Sequence, residues 1–133
     1  MKLVDTNILI YLLRYQPEYL KIRFAKEINE GLFISSVTLA ELRKGIELSK
    51  KREQTEQALS EIVSLLIVIP FGEKEAGEYG RIWASLRKNG YTVGEFDIMI
   101  AATAAVHDLP LVTNNTKDFR NIPGIVLEDW LIR

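Results

Sequence analysis

Hydrophobic positions along the chain fall into two kinds of run. Short, almost wholly apolar runs occur at Lys2 to Asp5, Leu32 to Ser35 ("LFIS"), Leu66 to Ile69 ("LIVI"), Leu111 to Thr113 ("LVT") and Ile125 to Leu127 ("IVL"). They do not alternate with polar residues, which is the pattern of strands buried on both faces. Between them the apolar residues recur every three to four positions, the helical period. This predicts helices over Ile8 to Arg14, Pro17 to Glu30 with Gly31 after it, Leu39 to Ser49, Glu53 to Leu65, and Glu73 to Asn89 stopped by Gly90. The stretch "FDIMIAATAAV", Phe96 to Val106, is apolar almost all round and rich in alanine, as a helix packed closely on a sheet should be. Strands alternating with helices imply an α/β fold. The expectation is one three-layer domain over residues 1–133, with a central, mostly parallel sheet of about five short strands and helices on both faces.

Composition narrows the function. Apolar residues make up 47% of the 133 positions and charged ones 26%, which suits a compact globular chain with its own core. The absence of cysteine excludes disulfides, zinc-thiolate sites and thiol nucleophiles, and it permits a reducing interior. No apolar stretch reaches the length of a membrane span, and Asp5 interrupts what would be the core of a signal peptide, so the expected location is the cytoplasm with no membrane contact. A formal net charge of -1 argues against holding nucleic acid by bulk electrostatics. Arg43 and Lys44, the run Lys50 to Arg52, and Arg87 with Lys88 each read as solvated helix faces.

Most of the 18 acidic residues also lie on polar helix faces, but three are out of place. Asp5 ends the first strand, Glu41 follows the second in "SSVTLAELRKG", and Asp97 is the only charge between Glu95 and His107, at the start of the buried helix. In alternating α/β architecture the carboxyl ends of strands and the amino ends of helices share one edge of the sheet, where ligand sites form. With Glu41 placed in the first turn of its helix, all three acids face that edge, and "NNTKDF" after the fourth strand adds Asn114, Asn115 and Asp118. Each acid alone has a structural explanation: Asp5 as a cap, Glu41 completing a capping box with Thr38, Asp97 as a partner of a helix dipole. Together they repel one another unless a cation sits among them. Oxygen-only ligation without Cys points to a hard ion, Mg²⁺ or Mn²⁺. His107, ten residues beyond Asp97 and about 15 Å away along the helix, reads as a capping or surface residue. Water activated by metal is then the economical chemistry, with phosphodiester hydrolysis the reaction such sites serve best.

The blocks "LVDTNILIYLL", "SSVTLAELRKG", "GYTVGEFDIMIAATA", "LVTNNTKDF" and "IPGIVLEDW", in that order, resemble the PIN-domain ribonucleases of the VapC type, toxins of toxin-antitoxin pairs. The resemblance implies a Mg²⁺- or Mn²⁺-dependent endoribonuclease. Asp5 and Asp97 would be the principal metal ligands, and Glu41 a third acid that binds metal or orients the attacking water. Asn7, Thr113 and Asn115 would hold the ligands and water in place. The fourth ligand is either Asp118, favoured by charge, or Asn115, favoured by position. The resemblance also implies a homodimer and a VapB-type antitoxin that forms a heteromeric complex with the toxin. Helices Pro17 to Glu30 and Glu53 to Leu65 are candidates for an apolar groove that takes the antitoxin's helix. Tyr79, Trp83 and Tyr91 fit either a dimer interface or the core.

Other readings account for less. A receiver module needs adjacent acids after the first strand and an Asp after a middle strand, but "LFIS" ends without one. A haloacid-dehalogenase-type phosphatase needs D-x-D where this chain has D-T-N. The alternatives that keep the site are a structure-specific DNA nuclease and a catalytically inactive PIN-like binding module.

Overall fold

The computed structural model describes residues 1–131. Five strands form one sheet: β1 (Lys2–Val4), β2 (Leu32–Ser35), β3 (Ile67–Ile69), β4 (Leu111–Val112) and β5 (Leu127–Glu128), in the order β3-β2-β1-β4-β5. Every pairing is parallel, with Leu3 opposite Phe33 on one side and Leu111 on the other. Seven helices complete the described residues: α1 (Thr6–Tyr15), α2 (Glu18–Ile28), α3 (Ser36–Glu47), α4 (Arg52–Val63), α5 (Glu73–Lys88), α6 (Glu95–Val106) and α7 (Thr116–Phe119). None of them is long and apolar enough to cross a membrane.

Successive strand residues point to opposite faces, so Val4 and Leu3 begin two different cores. On one face Val4 and Val112 meet Ile8, Leu9, Leu20 and Leu42 from the first helices of the chain. On the other, Leu3 and Leu111 meet Ile82 of α5, Ile98 and Ile100 of α6, and Phe119. Strands buried on both sides must be continuous in their hydrophobicity, which is why none alternates. Ala101, Ala102 and Ala104 are buried against the sheet, small side chains that let α6 approach it closely. The sheet thus lies between two helical layers, the α/β architecture the sequence predicts.

The differences lie at element ends. Helix α3 begins at Ser36, not Leu39, because Ser35 caps it by accepting from the Val37 amide at 3.1 Å. Helix α1 takes in Thr6 and Asn7, with Asp5 as its cap. The last strand sits at Leu127–Glu128 rather than Ile125 to Leu127, and α7, only four residues long, carries no periodic signal. A network with Lys2 at its centre pins β5 to α2: its Nζ lies 3.1 Å from both Glu27 and Glu128, while Arg23 stacks 5.0 Å from the Trp130 ring.

One topological fact positions the site. From β1 the chain winds outward through β2 to β3, then crosses back to lay β4 on β1's other side. The order therefore reverses between β1 and β4, and a crevice opens at their carboxyl ends. Asp5 follows β1 directly, and Thr113 follows β4.

Candidate active site

Asp5 is held from three directions. Its amide donates to Val112 O at 2.8 Å, so β4 fixes its backbone. Its carboxylate accepts from the Thr6 amide through Oδ1 and from the Thr113 hydroxyl through Oδ2, each at 2.8 Å. The side chain therefore caps α1 and faces the crevice at once, so its role as a cap leaves it at the edge where the other acids lie. Burial pushes its pKa up to about 6; the Thr113 and Thr6 hydrogen bonds oppose the rise, and the charges of Asp97 and Glu41 add to it.

Asp97 enters from the first turn of α6, half-buried. Burial, then Glu41, then Asp118 raise its pKa above the ordinary carboxylate value. Glu41 lies in the second turn of α3 rather than the first, a consequence of that helix's early start at Ser36. It makes no capping box with Thr38, which is fully buried inside α3 while Ser35 does the capping. Glu41 Oε1 instead accepts from the Thr6 hydroxyl at 2.8 Å, and that hydroxyl lies 3.1 Å from Thr38 Oγ1. Sequence reasoning missed Thr6 and gave Thr38 the role of a capping-box partner instead. The signal was present, since Thr38 precedes Glu41 by three residues and so shares its helix face.

The turn after β4 completes the group. The Asn115 amide donates to Thr113 Oγ1 at 3.0 Å, and Asn115 Nδ2 lies 3.3 Å from both Asp97 Oδ2 and Asp118 Oδ2. In this orientation Asn115 presents hydrogens to the acids and Asp118 presents oxygens. Asn7 stands apart: it is exposed and donates to Asn114 Oδ1 at 3.2 Å, touching none of the acids. His107, the residue after α6, lies with Nε2 3.1 Å from Glu75 Oε2, away from the acids.

Asp5, Glu41, Asp97 and Asp118 thus share one edge of the sheet, and none of them pairs with a described Lys, Arg or His. As they stand, no three described His, Asp or Glu side chains are close enough together to enclose an ion, yet Asp5 and Asp97 are close enough to other acids to feel their charge. The donor set is all oxygen, mostly carboxylate, and uncompensated, which is the chemistry a hard divalent cation fits.

Residues 2–125 match the PIN domain family. The chain belongs to it. Within the PIN family it is 37% identical over 130 residues to Ribonuclease VapC2 of Rickettsia felis, covering 96% of each chain. It is 38% identical over 128 residues to the tRNA(fMet)-specific endonuclease VapC of Salmonella typhimurium, again covering 96% of each. Among solved structures, a chain of DNA-bound VapBC from Salmonella typhimurium superposes with a TM-score of 0.93 at 37% identity over 98% of both chains.

Two further surfaces of this PIN fold bear on partners. A groove of about 690 Å³ opens beside Glu41, lined by Ile10 and Leu13 of α1, Leu42 and Ile46 of α3, and Leu59 of α4. The sequence placed an apolar groove between the second and fourth helices, but α2 is not part of this lining: its Leu20 and Phe24 are taken up by the core. On the opposite helical layer Trp83 and Tyr91 are exposed, while Tyr79 is half-buried with its hydroxyl 3.3 Å from Glu95 Oε1.

Proposed function

We propose that the chain is a Mg²⁺- or Mn²⁺-dependent endoribonuclease that hydrolyses RNA phosphodiester bonds, the toxin of a type II toxin-antitoxin pair. The observation that carries this reading is Asp5: it is 1% exposed, its pKa is raised by burial and by Asp97 and Glu41, and no described Lys, Arg or His pairs with it. Ionising a carboxyl whose pKa has been raised costs about 1.4 kcal/mol for every pH unit of the rise, a burden that makes sense when the charge is wanted for a ligand.

Asp5 and Asp97 would hold the metal, with Glu41 and Asp118 completing the set, and Asn115 would serve as a hydrogen-bond donor rather than an oxygen ligand. A bound divalent ion supplies an acidified water and offsets charge on the phosphoryl oxygens. Thr113 keeps the Asp5 carboxylate turned toward the crevice, and Asn115 holds Asp97 and Asp118 apart. Glu41 would orient the attacking water or accept its proton.

The relatives named as ribonucleases and the VapBC complexes among the structural neighbours support RNA as substrate and a VapB-type antitoxin as partner. The groove between α1, α3 and α4 is the apolar surface suited to that antitoxin, and the exposed Trp83 and Tyr91 suit a homodimer. The place of action would be the cytoplasm.

The test is incubation of purified protein with structured RNAs and duplex DNA, in EDTA or in millimolar Mg²⁺ or Mn²⁺. RNA should be cut only with metal, and Asp5→Asn and Asp97→Asn should leave it whole. Intact RNA in the presence of metal, or variants that cut as well as the unaltered protein, would defeat the reading. Cleavage of duplex DNA alone would point to the DNA nuclease, and RNA binding without cleavage to the inactive module.

A further inference from the structure

Among the four acids, Glu41 has the longest side chain, and like Asp97 and Asp118 it is held by one hydrogen bond among the described residues. Asp5 accepts two hydrogen bonds, and Asp97 and Asp118 share the Asn115 amide. Glu41 is met by a single hydroxyl among the described residues, that of Thr6. A glutamate has one more side-chain torsion than an aspartate, so its carboxylate wanders unless something anchors it.

Thr6 is well placed to be that anchor. It is 3% exposed, opens α1, and donates its backbone N–H to Asp5 Oδ1. Its hydroxyl oxygen lies within hydrogen-bond distance of both Glu41 Oε1 and Thr38 Oγ1. The Thr6 hydroxyl carries one proton and has two oxygen neighbours, Glu41 Oε1 and Thr38 Oγ1. The Glu41 carboxylate can only accept, so that proton goes to Glu41. Thr38 Oγ1 is a second acceptor for the Thr6 hydroxyl, at the longer distance of 3.1 Å. The bond to the charged carboxylate is the stronger of the two, and its shorter distance of 2.8 Å agrees.

We propose that Thr6 is a positioning residue of this site: its amide fixes Asp5, its hydroxyl aims Glu41, and one residue thereby sets the spacing of two acids carried by different segments. The kinetic part of the test rests on the ribonuclease reading; the structural part does not.

The variants are Thr6→Val, which keeps the shape and deletes the hydroxyl, Thr6→Ser, which keeps the hydroxyl, and Thr6→Val combined with Glu41→Gln. Thr6→Val should lower kcat for RNA about tenfold, the lower end of what losing a supporting hydrogen bond costs such sites, with KM unchanged. Thr6→Ser should restore it, and Thr6→Val should have no further effect on the residual rate of Glu41→Gln. Crystals of metal-free Thr6→Val should show the Glu41 side chain in more than one conformer, where the unaltered protein shows one. The proposal is overturned if Glu41 keeps its position in Thr6→Val, or if Thr6→Val costs the same factor with and without Glu41. Should Thr6→Val fail to fold, the crystal comparison is made with Thr6→Ala, which also lacks the hydroxyl: Glu41 in several conformers supports the proposal and an unmoved Glu41 overturns it. If the unaltered protein cuts no RNA, the ribonuclease reading fails, and the conformers of Glu41 still decide the role of Thr6.

Discussion

Thr113 donates its hydroxyl to Asp5 Oδ2 at 2.8 Å, a bond between residues 108 positions apart that joins the ends of two adjacent strands. Hydrogen bonds to a charged group contribute about 1.5–3 kcal/mol, and this one favours the ionised form of a carboxylate that burial disfavours. Thr113→Val should therefore raise the pKa of Asp5 above its value of about 6. The check is an NMR titration of Asp5 in metal-free protein, where an unchanged midpoint would show that the hydroxyl does not stabilise the charge.

The raised pKa of Asp5 has a sign that stability must follow. The folded chain holds the Asp5 proton up to about pH 6, whereas the unfolded chain releases it near 3.8. The stabilising contribution is full below 3.8 and is lost as pH rises through 6, a change of about 3 kcal/mol over that interval. Asp97 acts in the same direction. In EDTA the melting temperature should fall between pH 5 and pH 7.5, and Asp5→Asn should flatten that fall while abolishing cleavage. A melting temperature that rises over this interval would contradict the placement of Asp5.

A cation binding this site competes with those protons. Added Mg²⁺ or Mn²⁺ should raise the melting temperature at pH 7.5 and do so much less at pH 5, where Asp5 is protonated. A concentration one hundred times the dissociation constant is worth about 2.7 kcal/mol of stability. Thermal scans across a metal series at both pH values measure it, and no effect at millimolar ion would remove the metal from the account.

Asn115 Nδ2, 3.3 Å from both Asp97 and Asp118, is the nearest thing to a positive group between them. Asn115→Asp replaces those hydrogens with another negative oxygen. The variant should melt lower than the unaltered protein in EDTA and gain more from added Mg²⁺. Calorimetric titration with Mg²⁺ alongside the melting curves distinguishes this from simple loss of packing, which would lower both curves equally.

The legibility of this site follows from the cost of its residues. Asp5 and Asp97 stand out in sequence because a charge inside an apolar run is destabilising, and both lie at the sheet edge where that cost implied they should. The parallel sheet was equally plain, since Leu3, Ile34, Leu111 and their neighbours admit no polar alternation. What stayed hidden was set by contacts between distant segments. Thr38 beside Glu41 fits a capping box by spacing, yet Ser35 wins the cap and frees Thr38 to meet Thr6, which is 32 residues away in the chain. Asn7 looks like a partner of Asp5 from its position in "DTN", but the helix turns it outward to Asn114. The groove is shifted for a similar reason, because amphipathic stripes on α2 and α4 do not say which helix lies beside which.

The position of β1 in the sheet, with β2 on one flank and β4 on the other, also sets the order in which the acids can be assembled. A growing chain possesses Asp5 and Glu41 early, but the backbone bond from Asp5 to Val112, the hydroxyl of Thr113 and the carboxylate of Asp118 arrive only with Thr113 and its neighbours, 108 positions after Asp5. Until β4 slides in beside β1, the first strand has one neighbour and its acid is unsupported. The first segments of the chain therefore cannot assemble this group of acids by themselves, because the support of Asp5 comes from β4 and the turn after it.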